Sequence, residues 1–117
     1  MCIQDKTLGK IRQLGGDELL AKLIDLFLSQ GKDRLAGLRT ALDEGDLKAT
    51  ARLAHSLVSS TGNLGADTAM TDARALESAA EARDQAGSQA ALARFRQSLE
   101  NAMCRLAEIR DGLPSRR

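Results

Sequence analysis

His55 is the only histidine among 117 residues, and therefore the only imidazole the chain can offer as a base, a metal ligand or a nucleophile. At helical spacing, the residues seven and three before it and four and seven after it share its face. They are Lys48, Arg52, Ser59 and Gly62. None of these is bulky and apolar. The apolar stripe of the same segment, Ala51, Ala54, Leu57 and Val58, is offset from them, so the ring is expected on the solvent side near the edge of that stripe. Small residues one and two turns further on leave room for another protein's surface. Lys48 and Arg52 set up a local positive field suited to an anion.

Several chemistries find no support around this residue. One His and two distant Cys, with no second ligand a turn away, make no recognisable metal site. A hydrolase needs a nucleophile, a base and an orienting group, and the chain offers no candidate Ser or Cys at a strained turn. Two readings stay open on the residues alone: an ordinary surface histidine, and a histidine that is itself the nucleophile.

The elements that must position His55 follow from punctuation and period. Nineteen Leu and nineteen Ala against one Val and four Ile favour helix throughout. A short helix is expected over 6–14, stopped by Gly15-Gly16, with Asp17 placed to cap the next. Leu20, Ile24, Phe27, Gly31, Leu35, Leu38 and Leu42 then recur every three or four residues, with a kink expected at Gly31. Gly45 ends that helix and Asp46 caps the one carrying His55, with Leu47, Ala51, Ala54, Leu57, Val58 and Thr61 toward the core. Gly62-Asn63 and Gly65 loosen the chain before a helix over 66–86 that presents Ala69, Met70, Ala73, Leu76 and Ala80. Gly87 closes it and Ser88 caps the last helix, whose Leu92, Phe95, Leu99, Ala102, Met103, Leu106 and Ile109 keep the period to Asp111. The expectation is an all-α single domain spanning 1–117: an antiparallel four-helix bundle with a short extra N-terminal helix, a core over 6–111, and a frayed tail at 112–117.

Composition narrows the function classes further. Seventeen Lys+Arg against sixteen Asp+Glu leave a net charge of +1 with no basic block, which speaks against nucleic acid. Trp and Tyr are absent and Phe occurs twice, so stacking platforms and a membrane belt are missing. No apolar run has signal-peptide or membrane-span length, so a cytoplasmic protein is expected. Cys2 and Cys104 are expected to stay reduced, with Cys104 in the core.

Taken in order, Leu14-Gly15-Gly16-Asp17, the stretch Leu23 to Phe27, Gly45-Asp46, Ala54-His55-Ser56-Leu57 with Gly62, Leu64-Gly65-Ala66 and Leu76-Glu77 cover most of the chain. In these residues the sequence resembles the histidine-containing phosphotransfer domains of two-component phosphorelays. The resemblance implies a helical bundle in which His55 accepts a phosphoryl group from a receiver-domain aspartyl phosphate and passes it to another receiver Asp. It implies a phosphocarrier without kinase activity of its own, partnered by response-regulator receiver domains and by a hybrid sensor histidine kinase. No resident cofactor or metal is implied, since the Mg²⁺ would sit in the receiver. Glu77 stands where the family has Glu or Gln beside the His, and is expected to hold the proton of the inner ring nitrogen so that the outer one keeps its lone pair.

The sequence departs from the family pattern at the third and fourth positions after the His. The family commonly has Lys-Gly there, and this chain has Val58-Ser59. Ser59 stays small and can donate a hydrogen bond, but Val58 removes a cation. Arg74, three residues before Glu77, is expected to restore charge together with Arg52 or Lys48. Docking is expected on Val58, Ser59 and Gly62 and on Leu8 and Ile11 as exposed apolar groups of the first helix. The alternative reading is a receiver-docking module, a degenerate relative with little or no transfer. A monomer is expected, since no helix carries a second long apolar stripe.

Overall fold

Gly16 breaks the first helical stretch. Its backbone sits at φ 71° and ψ −169°, a region essentially closed to residues that carry a Cβ. The chain therefore turns sharply between a short leading helical segment and the long one that follows. The computed structural model describes residues 3–113. In it, α1 (Asp5–Asp43) contains this kink and is followed by α2 (Leu47–Asn63), α3 (Asp67–Glu81) and α4 (Gln85–Asp111). The fold class is as expected: the described residues hold helices and no strand. α2 packs on α3 and α3 on α4, while α1 closes the ring against α2 and α4. Connections this short reverse the chain, so sequential helices run antiparallel.

Caps and breaks explain where the elements end. Asp46 caps α2 as expected, its Oδ1 accepting from the Ala49 amide at 3.0 Å. Asp17 does not cap: its carboxylate is paired with the Arg12 guanidinium at 3.1 Å, joining the two sides of the kink. The helix expected to run to Ala86 ends at Glu81. Arg83 adopts φ 59°, and Asp84 caps α4 by accepting from the Gly87 amide at 2.9 Å. Gly87 thus lies inside the first turn of α4, and Ser88 is a buried residue of that helix rather than its cap. Alanines on both sides of this turn satisfy a helical pattern, and the pattern could not register a break made by one Asp hydrogen bond.

Gly31 is not a kink, because Gly16 is the one residue with non-helical angles inside α1. A Cβ at Gly31 would stand 3.4 Å from Met103 Sδ, so the residue faces α4 at contact distance. Cys104 is exposed, two positions from both Ala102 and Leu106 of the buried stripe. Its pairing with Cys2 concerns a residue outside those described, as do positions 114–117 of the tail.

The core runs through all four helices: Leu20, Ile24 and Leu38 from α1, Ala54 and Leu57 from α2, Leu76 from α3, Phe95, Leu99 and Leu106 from α4, all essentially without solvent contact. Buried Thr50 and Thr61 are satisfied by the carbonyls of Asp46 and Leu57, one turn back. Three of the four buried residues of α3 are alanines: Ala69, Ala73 and Ala80. That small face lets α3 approach its neighbours closely.

The α2–α3 connection is tight, not loose as expected. Leu64, Gly65 and Ala66 are buried, and Gly65 has φ 74°. A Cβ there would meet the Gln4 backbone nitrogen at 3.1 Å, where that amide donates to the Gly65 carbonyl at 3.0 Å. Gly65→Ala is expected to destabilise the fold by about 2 kcal/mol or more, since left-handed strain adds to a displaced N-terminal segment. Urea unfolding checks this, and a change under ~0.5 kcal/mol would refute it.

Candidate functional site

His55 sits one position beyond buried Ala54 on α2, which rotates its ring about 100° from the core direction. Its side chain is 71% exposed. Glu77 holds the corresponding place on α3, one beyond fully buried Leu76, and its side chain is only 20% exposed. With α3 drawn in on its alanine face, the two meet: His55 Nδ1 lies 2.8 Å from Glu77 Oε2. A carboxylate can only accept, so Nδ1 carries the proton and donates. Nε2 makes no hydrogen bond to any described residue, and in this tautomer it carries the ring's free lone pair.

From His55 a cleft between α2 and α3 runs toward the N-terminus of α2. Lys48 and Arg52 line it as the face count expected, joined by Glu81 and Arg83. Lys48, Arg52 and Arg83 have no carboxylate within ion-pair distance among the described residues. Arg83 was missed by sequence reasoning, because the helix there was drawn through the turn. Asp84, a capping residue type three places before Gly87, was the available signal. Arg74 is exposed but lines no part of this cleft.

On the opposite side of His55, Ser59 is exposed, while Val58 is half-buried and packs against the core. Gly62 does not open a free approach. It faces α3, where an added Cβ would stand 2.7 Å from Met70 Sδ. Leu8 and Ile11 overturn the docking expectation. Both belong to the core, 5% and 8% exposed, because the leading segment of α1 lies with its apolar face on the bundle. The apolar side chain that segment does expose is Leu14, at 83%.

Among the described residues there is no cluster of three or more His, Cys, Asp or Glu able to hold a metal ion. None of their helices is long and apolar enough to cross a membrane.

A family model, the Hpt domain, matches residues 22–108, well over half of the chain and inclusive of His55 and Glu77. No curated protein matches it by sequence. Among solved structures, histidine-containing phosphotransfer protein B (HptB) from Pseudomonas aeruginosa PAO1 is similar at 23% identity, with 96% of each chain covered and a TM-score of 0.90. At that identity the likeness is one of fold.

Proposed function

The chain belongs to the Hpt domain family, whose members are histidine phosphotransfer proteins of phosphorelays rather than autonomous kinases, and on that premise we propose that His55 is the phosphoacceptor. It takes a phosphoryl group from a receiver-domain aspartyl phosphate and passes it to another receiver Asp. The observation that carries this reading is the 2.8 Å contact between His55 Nδ1 and Glu77 Oε2 in a ring that is mostly open to solvent.

The Nε2 lone pair attacks phosphorus; the N–P bond forms, the acyl P–O bond breaks, and the carboxylate of the donor Asp leaves. The ring acquires positive charge while Nδ1 keeps its proton. Glu77 faces that charge, which makes it a positioning residue that also stabilises the product. Onward transfer runs the same steps in reverse on a second receiver. Arg52, one turn before His55, unpaired and lining the same cleft, meets the phosphoryl oxygens in place of the cation missing at Val58. Lys48 stands a turn further away, and Arg74 is left with a minor part. Ser59 is a hydrogen-bond donor on the open side. The divalent cation that phosphoryl transfer uses belongs to the receiver, and a hybrid sensor kinase is one source of the donor receiver. The protein acts as a monomer.

The test uses purified receiver domains, phosphorylated with labelled acetyl phosphate, as donors. Label should move to the protein and be lost in acid but kept in alkali, the behaviour of an N–P bond. Loss of that label in His55→Ala places the group on the chain's one histidine. Acid-stable label, or receivers that bind without transferring, would overturn the proposal, the latter in favour of a docking module.

A further inference from the structure

Arg83 holds a backbone conformation, φ 59°, that an L-residue with a long side chain adopts only against steric resistance. The turn between α3 and α4 needs such a residue, and glycine would supply it without strain. The arginine side chain lines the same cleft as His55 and has no carboxylate within ion-pair distance among the described residues. Strain is thus retained for a charge that does nothing within the fold itself.

Formal charges in the cleft balance, with Lys48, Arg52 and Arg83 against Asp46, Glu77 and Glu81. Their engagement does not balance. Asp46 is turned to the Ala49 amide and Glu77 to the His55 ring, which leaves three unpaired cations and one unengaged carboxylate, Glu81, to face an incoming partner. Arg83 belongs to the end of the cleft away from the phosphoryl group, with Gly45, Asp46 and Leu47. It follows the end of α3, level with the first turn of α2, and His55 lies eight residues beyond Leu47, about 12 Å along the helix.

We infer that the receiver domain docks over this cleft, its footprint running from His55 toward the α3–α4 turn, and that Arg83 is a specificity-determining contact to the acidic rim of the receiver's phosphorylation pocket. This rests on the phosphocarrier reading above. The chemistry of the partner supplies the complement: a protein that carries phosphate on a carboxylate and binds Mg²⁺ through carboxylates presents negative charge around that site. A cation at the rim of such an interface acts on association and its salt dependence more than on the chemical step.

Arg83→Gly separates this role from a structural one, because it relieves the backbone while removing the charge. Transfer from the phosphorylated receiver that labels the unaltered protein is measured at low ionic strength and at about 0.5 M salt, alongside thermal unfolding. The expected result is a Tm unchanged or raised, with kcat/KM for the receiver lowered about three- to tenfold at low salt, little difference at high salt, and an unchanged maximal rate. Arg83→Lys should recover most of the rate. Wild-type kcat/KM for Arg83→Gly at low salt would overturn the inference while leaving the phosphocarrier reading intact; so would a fall in Tm with the rate lost equally at both salts. If no receiver labels the unaltered protein, the parent reading fails and this one with it.

Discussion

Glu77→Ala is expected to slow phosphoryl transfer to His55 by about 10- to 100-fold at saturating receiver, with receiver affinity little changed. The ring is 71% exposed and its Nδ1–Glu77 bond is the one hydrogen bond it makes to the described residues. Without that bond the imidazole rotates freely about χ1 and χ2 and populates both tautomers. The tautomer with its proton on Nε2 has no lone pair on the nitrogen that must attack. The ring positive charge formed on transfer also loses its facing carboxylate. Both losses fall on the chemical step, so kcat drops while KM stays near its wild-type value. Glu77→Gln keeps a carbonyl oxygen able to accept from Nδ1 and should stay within a few fold of wild type. A role confined to holding α2 against α3 makes a different forecast, with Tm falling and both variants behaving alike. Glu77→Ala with wild-type kcat would remove the residue from the mechanism.

Of the pair at the centre of this expectation, His55 was legible from spacing and Glu77 through the family resemblance, and the structure shows a geometric reason for their meeting. His55 and Glu77 each follow a buried residue of a regular helical stripe, Ala54 and Leu76, and stripes of period 3.6 are what a sequence displays best. The N-cap at Asp46 and the break at Gly16 were readable for a related reason, because each is a local event decided by one or two residues. Most of what escaped was set by neighbours far along the chain, the Asp84 cap being the local exception. Leu8 and Ile11 are core residues because the kink folds their segment back on the bundle, and no count along the first helix reveals which way it folds. Gly31 and Gly62 looked like points of freedom and are points of contact, with Met103 and Met70. Arg83 escaped because two alanine-rich helices read through a short turn as one. The consequence for function is uneven. The outward place of His55 needed only local periodicity and its carboxylate neighbour needed the family resemblance, whereas the burial of Leu8 and Ile11 depended on long-range packing, and there the sequence misdirected.

Phe95→Ala is expected to cost the fold about 3–5 kcal/mol, a large part of the ~5–15 kcal/mol that holds a domain of this size together. Phe95 is fully buried, the largest such side chain, and one of only two aromatic residues in the chain. It stands on α4 among leucines drawn from every other helix, including Leu20, Leu57 and Leu76. Helices already in contact cannot move in to fill the space, so the cavity term adds to the lost transfer energy. Tm should fall by about 10–20 °C with an unchanged urea m-value, while Phe95→Leu should lose far less. A loss under ~1.5 kcal/mol would mean that the bundle repacks around the site and that Phe95 is no keystone. The functional consequence separates stability from chemistry. Phe95 shares the core with Leu57 and Leu76, which lie on the helices that carry His55 and Glu77, but it is itself fully buried while His55 is mostly exposed. At temperatures where the variant is still folded, transfer per folded molecule should therefore stay near wild type. A rate lost in proportion to the unfolded fraction marks Phe95 as part of the frame, in contrast to Glu77→Ala, where the frame survives and the rate does not.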